Sequence, residues 1–391
     1  MNLKMNKKNK LVLGITGIRS EYDIMSSVFK EISLHPNLNL RLIVTGAHLS
    51  DKYGLTVREI KKDKFEISEE IESLVDSDTE SSRVIGLSMQ VEAMARAVKK
   101  IKPDVLLVLG DREESLAIAI VGTYLSIPVA HISGGDKVVG NIDDHVRHSV
   151  TKLAHIHFPT SEDSKRRILR MGEENFRVFN VGNPGLDRLR NYPKLSRREL
   201  SIKIGLNIEN EKHYLILIQH PLSSEYKKSY VQMKITLRAI NDLGYKTIVI
   251  YPNSDAGSEG IIKAINEFKN NPNIIIFKNI PRLEFINLLR NASCLVGNSS
   301  CGILEAPFLR LPVINIGNRQ KERMHAKNVI FVPHNKKQIE KSIKKAISPK
   351  YRDKMKKIKN PFGNGKSSIK IAKILSKIKI NKKLLNKEIT Y

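Results

Sequence analysis

Short apolar runs alternate along this chain with longer stretches whose apolar residues recur every three or four positions. The first pattern predicts strands buried on both faces, the second amphipathic helices. In the first half, Leu11–Ile15, Arg41–Thr45, Asp104–Leu109, Pro128–Ile132 and Arg177–Val181 read as strands. Residues 79–101 read as a helix, because Val84, Leu87, Val91, Met94, Val98 and Ile101 form one stripe and Pro103 follows the stop. The second half repeats the rhythm. Tyr214–Ile218, Thr247–Tyr251, Ile274–Phe277, Cys294–Val296, Pro312–Ile316 and Val329–Val332 read as strands, with helical stretches near 225–243, 259–270, 281–292 and 336–348. This alternation predicts an α/β chain of two Rossmann-like domains with parallel sheets. The segment from Gly182 to Lys212, with Pro193 and a charged run, carries the expected boundary. It gives an N-terminal domain over 1–190, a second domain over 191–365, and a basic C-terminal helix over 366–391 expected to pack back on the first domain.

The length of 391 residues and 41% hydrophobic content suit two globular domains. Charge changes the picture more. The formal net charge is +27, and from Asn335 onward there are 19 Lys/Arg against 3 Asp/Glu. Such a tail can serve nucleic acid or an anionic membrane surface. Zinc-finger spacing, an RNP aromatic motif and tryptophan are all missing, so a Lys-rich solvated helix is the simpler reading and no nucleic-acid partner is expected. Two cysteines without a CxxC spacing exclude a disulfide framework and a cysteine-built metal site. The apolar run Leu11–Thr16 is too short for a signal-peptide core, and no run reaches the length of a membrane span. A cytoplasmic protein is expected.

Ligands of open parallel sheets bind beyond the carboxyl ends of the strands. Five segments at such positions carry chemistry. GITGIRSEYD (Gly14–Asp23) brings Arg19 to a helix start, where an arginine suits a phosphate; it is neither GxGxxG nor a Walker loop. LGDREES (Leu109–Ser115) places Asp111 at the end of the most apolar strand, either as an acid/base group or as a helix cap. In AHISGGDKVVGNIDDHVRHSVTKLAH (Ala130–His155), Asp143, Arg147 and Val150 share one helical face. Its four histidines show no HExxH-like arrangement, so no metal is expected. IQHPLSSEY (Ile218–Tyr226) sets His220 directly after a strand. VGNSSCGILEAP (Val296–Pro307) offers backbone amides with Ser299, Ser300 and Gly302 at a helix start, Glu305 for ribose hydroxyls, and Arg319 from the next segment. Together these read as a nucleoside diphosphate held by the second domain, its glycosyl end toward the carboxylates of the first. GxSxG and a DxD pair are absent.

Taken together, TGIRSEYD, VTGAHLS, LGDRE, HISGGD…IDDHVRHSVTKLAH, QHP, YPNSDAGS, GNSSCGILE, INIGNRQ and NPFGNG resemble the hydrolysing UDP-N-acetylglucosamine 2-epimerase family, in family order across residues 11–370. IDDHVRH, YPNSDAGS and NSSCG point to its sialic- and legionaminic-acid branch. The resemblance implies a fold like the two-domain GT-B glycosyltransferases with an active site in the interdomain cleft, no metal, no cofactor, and a homodimer or homotetramer. It also implies a route through a glycal: a carboxylate removes the C2 proton, UDP leaves, and water adds across C1–C2 with inversion at C2. Proton removal needs a positioned base, and each donor on the leaving oxygen is worth about 3–4 kcal/mol in comparable chemistry. Carried over by position, Asp111 and Asp143 are acid/base candidates, Arg147 orients or neutralises, and His220 aids departure of the diphosphate. Arg19, Ser299, Ser300, Gly302, Glu305 and Arg319 hold UDP, with Asn253 and Arg112 as further binding candidates.

One position departs from the pattern. Many relatives carry a glutamate after His-Ile, where this chain has Ser133. Three readings stay open: Asp111 and Asp143 suffice, Asp136 compensates, or the substrate differs. The substrate is either UDP-GlcNAc, giving N-acetylmannosamine, or a UDP-2,4-diacetamido-2,4,6-trideoxy sugar on the way to legionaminic acid. The alternatives are a GT-B glycosyltransferase, a non-hydrolysing epimerase that returns UDP to the glycal, and a binding protein that has lost catalysis.

Overall fold

The structure is a computed structural model that describes residues 9–75, 80–137, 142–253, 255–321 and 323–391. The basic residues 1–8, the start of the expected helix at 79, residues 138–141 of the HISGGD…IDDH block, Ser254 of YPNSDAGS and Glu322 after INIGNRQ lie outside the described residues. The chain divides into two units: Met1–Arg190 with Phe362–Tyr391, and Asn191–Pro361.

In the first unit β1 (Lys10–Thr16), β2 (Leu38–Thr45), β3 (Ile67–Ile71), β4 (Val105–Leu109), β5 (Val129–Ile132) and β6 (Ile156–Phe158) form a sheet in the order β3-β2-β1-β4-β5-β6. All its pairings are parallel. Successive side chains of a strand face opposite sides. Val105, Leu107 and Leu109 therefore enter one core with Met25, Val28, Phe29 and Ile32 of the helix Arg19–Ser33. Leu106 and Val108 enter the other with Met94, Ala97 and Val98 of the helix Glu80–Ile101. Val84, at the head of the expected stripe, is 66% exposed and belongs to neither core.

Arg177–Val181 is not a strand. Its aromatic and β-branched residues gave it a strand's composition, but the segment starts in a 3₁₀ turn and makes one isolated bridge, His157 to Val178. Its first residue does something else. Arg177 is wholly buried and donates to the carbonyls of Lys383 (2.8 Å), Leu384 and Asn386, while its Nε donates to Glu174 at 2.7 Å. The chain after 361 is bound into this unit by two further anchors. Asp187 accepts from the amides of Ser367 (3.0 Å) and Ser368 (2.6 Å) at the start of the helix Ser367–Lys377. That helix buries Ile371, Ala372 and Leu375 in the same core as the Arg19–Ser33 helix. Lys387 donates to Ala154 O at 2.7 Å and meets Glu173 at 2.9 Å. The basic tail is thus a strap whose charges are partly spent on carbonyls. Arg177→Ala leaves those carbonyls without their donor and is expected to cost roughly 3 kcal/mol in urea unfolding, with faster hydrogen exchange over residues 378–391.

In the second unit β7 (Tyr214–Ile218), β8 (Lys246–Ile250), β9 (Ile274–Phe277), β10 (Cys294–Gly297), β11 (Val313–Ile316) and β12 (Val329–Val332) form a parallel sheet ordered β12-β11-β10-β7-β8-β9. Leu215 and Leu217 face one core, Tyr214, Ile216 and Ile218 the other. In each unit the chain winds outward from the middle in both directions. The strand order reverses between β1 and β4 in the first, and between β7 and β10 in the second. Those reversals open the crevices where ligands of such sheets sit. Among the described residues, no helix is long and apolar enough to cross a membrane.

Candidate active site

The second unit's crevice is built around Asn298. Gly297 closes β10 at φ +121°, and a Cβ there would lie 2.0 Å from Ile218 O, so only glycine lets β10 leave the sheet this close to β7. The next residue, Asn298, is buried; its Oδ1 accepts from His220 N at 2.7 Å and its Nδ2 donates to His220 O at 2.9 Å. The asparagine side chain thus replaces a rung of the sheet and fixes the backbone of His220. Asn298 O accepts from Arg319 Nη1 at 3.2 Å and from Gln320 Nε2 at 3.0 Å. The His220 Nδ1 faces the amide of Asn253 at 3.0 Å. A backbone N–H can only donate, so the imidazole carries its proton on Nε2, which is left as a donor. Burial, and then the cation of Arg319, pushes the His220 pKa down to about 4, so the ring is neutral at physiological pH.

The glycine-serine segment differs from its expected form. The helix after it, Cys301–Leu304, is a single turn and carries little dipole. The Gly302 amide is turned inward to Ser299 O at 3.1 Å, and so closes the turn instead of facing a ligand. Ser299 Oγ takes the Cys301 thiol at 3.2 Å. What remains for an anion is the partly exposed Ser299–Ser300 stretch and the Arg319 cation. Glu305 pairs with Arg282 through Oε1, while its buried Oε2 has no hydrogen-bond partner among the described residues. A buried acceptor without a donor fits a hydroxyl-bearing ligand.

In the first unit, Asp111 follows Gly110, whose φ is +77°. The turn is held by His131. This wholly buried ring bonds Gly110 O through Nε2 at 2.7 Å and Thr151 Oγ1 through Nδ1 at 3.3 Å, and burial pushes its pKa down to about 3. Arg147 is 7% accessible; it pairs with Asp111 and, at 3.6 Å, with Asp144 one turn back on the helix Ile142–Leu153. Its Nη1 also donates to Asp136 O at 3.0 Å. Asp143 sits half-buried in the first turn of that helix. The Asp136 carboxylate accepts from Thr160 (2.9 Å) and Ser164 (2.6 Å), which ties it to the turn after β6. Ser133 has φ +63° and donates its amide to Phe158 O at 3.1 Å.

Arg19, the first residue of its helix, is largely exposed and pairs with Glu59 at 3.5 Å. Arg112 bonds Glu114 through Nε at 3.1 Å. Asn253 serves His220 through its amide and bonds Asp255 through its side chain. Of the four histidines that invited a metal reading, two have other partners: His131 as above, and His155, whose Nδ1 accepts from Val129 N at 3.3 Å. Among the described residues no group of three or more His, Cys, Asp or Glu could hold a metal. Sequence reasoning assigned no role to Asp144 or Gln320 and did not foresee the bond from His131 to Gly110 O. Only Asp144 had a local signal, its spacing of three from Arg147.

Two doubly wound sheets with polar reversal crevices are the architecture of nucleotide-handling α/β proteins. The chain belongs to the UDP-N-acetylglucosamine 2-epimerase family, whose pattern matches residues 30–376. It is 36% identical, over 96% of its length and 98% of the relative's, to the UDP-N,N'-diacetylbacillosamine 2-epimerase (hydrolyzing) of Legionella pneumophila. It is 34% identical to the GDP/UDP-N,N'-diacetylbacillosamine 2-epimerase (hydrolyzing) of Campylobacter jejuni, over 83% of this chain and 84% of that one. The crystal structure of Neisseria meningitidis UDP-GlcNAc 2-epimerase bound to UDP-GlcNAc superposes with a TM-score of 0.78 at 20% identity, covering 94% of this chain and 100% of that one, which establishes the fold.

Proposed function

We propose that the chain is a hydrolysing 2-epimerase of a UDP-2-acetamido sugar, with a UDP-2,4-diacetamido-2,4,6-trideoxy sugar as the preferred substrate and UDP-GlcNAc as the second. One observation carries the reading: a buried arginine, Arg147, gathers two carboxylates, Asp111 and Asp144, at the first unit's strand reversal. A single cation between two acids holds both carboxylates in place, and a positioned carboxylate is what proton removal needs. The names of the Legionella and Campylobacter relatives support the diacetamido sugar and the hydrolysing outcome.

In the proposed reaction Asp111, with Asp143 or Asp144, removes the C2 proton. The C1–O bond breaks, and the electron pair leaves with UDP, whose diphosphate is met by His220 Nε2–H and Arg319. Ser299, Ser300 and Arg19 complete its binding, and Glu305 Oε2 takes a ribose hydroxyl. Water then supplies hydroxyl to C1, and a proton reaches C2 from the opposite face, giving a free manno-configured sugar for nonulosonic acid biosynthesis. Ser133 cannot serve as a base at neutral pH, so the acid/base work falls on Asp111 and its neighbours. A homodimer or homotetramer in the cytoplasm completes the reading.

The test is incubation with both UDP-sugars in heavy water. Free sugar deuterated at C2, with equimolar UDP, is the expected result. A UDP-linked epimer points instead to the non-hydrolysing reaction, and UDP release without C2 deuteration rules out the elimination.

A further inference from the structure

The loops after β1, β2 and β4 are joined by one side chain that the proposed reaction does not use. Glu114, in the first turn of the helix Glu113–Tyr124, is 3% exposed. Its carboxylate runs between two glycines. A Cβ on Gly17, after β1, would lie 2.3 Å from it, and one on Gly46, after β2, 2.6 Å from it. Both glycines are thus kept open for this group, and Gly46 is in addition left-handed at φ +60°. The Glu114 Oε2 accepts from Arg112 Nε at 3.1 Å. Glu21, buried in the first turn of the Arg19–Ser33 helix, accepts the Gly17 amide at 3.1 Å and is close enough to feel the Glu114 charge.

Glu113 is engaged by Arg83 from the Glu80–Ile101 helix and lies 3.7 Å from Arg112. His48, whose amide bonds Gly17 O, is held neutral by burial, its pKa pushed down to about 4. Arg112 thus pairs with the buried Glu114, lies near Glu113, and feels the buried Glu21 through space. Arg112 keeps 37% of its side chain accessible beside Asp111, at the strand reversal. We propose that Glu114, backed by Glu21, is the positioning residue that aims the Arg112 guanidinium at the diphosphate of the substrate. This rests on the epimerase reading above and adds to it a residue that acts only through Arg112.

Charge balance makes the device sensitive to pH. Burial, and next the Glu114 carboxylate, pushes the Glu21 pKa up to about 8. Below that pH the pair carries one negative charge against one guanidinium. Above it two adjacent buried charges draw Arg112 inward and oppose an anionic ligand.

The experiment measures kcat and KM for UDP release from both UDP-sugars between pH 6.5 and 9. It uses the full-length wild type, Glu114→Gln, Glu21→Gln, Arg112→Ala and the Glu114→Gln/Arg112→Ala double variant. The glutamines keep the shape of the carboxylates, and circular dichroism reports folding. For Glu114→Gln, KM is expected to rise about tenfold with kcat within about threefold, and the double variant to be no worse than Arg112→Ala. Wild-type KM rises from pH 7 to 9, and Glu21→Gln removes that rise. An unchanged KM in Glu114→Gln, or independent addition of the two single effects, overturns the positioning role while leaving the epimerase reading intact. A wild type that releases no UDP from either sugar overturns both.

Discussion

Asp111→Asn is expected to lower kcat for UDP release by about 10²- to 10⁴-fold, the usual worth of a positioned general base. Asparagine has the same shape, so the turn after Gly110 and its bond to His131 persist. It can still bond Arg147, but it cannot accept the C2 proton. No group at position 133 can take over, because the side chain there is a serine hydroxyl. Binding of UDP itself is expected to stay within about twofold, since His220, Arg319, Ser299 and Ser300 belong to the other unit, and Arg19 and Arg112 are held by Glu59 and Glu114 rather than by Asp111. Chromatographic quantification of UDP under single turnover, with calorimetric titration of UDP, separates the two quantities. Turnover within threefold of wild type would remove Asp111 from the mechanism and shift the burden to Asp143 and Asp144.

The elements most readable from the sequence are those whose residues answer to one constraint. β4 and β7 are wholly buried runs, VLLVL and YLILI, of the kind that a central strand of a parallel sheet, covered on both faces, uses. β3, ISEEI, was not readable: it is an edge strand, so only one of its residues is fully buried, and its polar residues resemble a loop. β6 is three residues long and holds the buried His157, which pairs with Glu173. Arg177–Val181 shows the opposite error, a strand-like composition in a segment whose arginine binds the tail.

The same division runs through the site. Residues placed directly after a strand, such as Asp111 and His220, are readable because the sheet dictates where they stand. Glu21 and Glu114 are not. They lie 93 positions apart in sequence and meet only because β1 and β4 are neighbours in the strand order. His131 and Asn298 act through the backbone of another residue, and no local pattern announces such a contact.

Acid is expected to unfold the first unit between about pH 6.5 and 4. His48 and His131 are wholly buried and His155 nearly so. Each uses its ring nitrogens on neutral partners: His48 on Thr16 (3.0 Å) and Thr56 (2.7 Å), His131 on Gly110 O and Thr151, His155 on the Val129 amide. Burial is the largest cause in all three, and it brings their pKa values to about 4, 3 and 4 from an ordinary 6.5. The direction of the effect follows from which state takes the proton. Below pH 6.5 the unfolded chain protonates these rings while the folded unit refuses, so stability is full above 6.5 and drains as pH falls toward 4. For three histidines the loss is on the order of 10 kcal/mol, comparable to the whole net stability of a domain. Glu21 works the other way. Its folded pKa of about 8 means that stability is gained as pH falls from 8 to 4.5, which offsets one of the three protons over part of the range. Glu173, held down to about 2 with His157 and Lys387 beside it, adds a further loss below 4.5. Calorimetry at half-unit steps should show the Tm falling ever more steeply below pH 6. Histidine ring resonances followed by nuclear magnetic resonance should stay untitrated at pH 5.5 for the buried three. A Tm that is level from pH 7 to 4.5, or rings that titrate near 6.5 in the folded protein, would mean that water reaches these sites and that His131 does not lock the turn carrying Asp111.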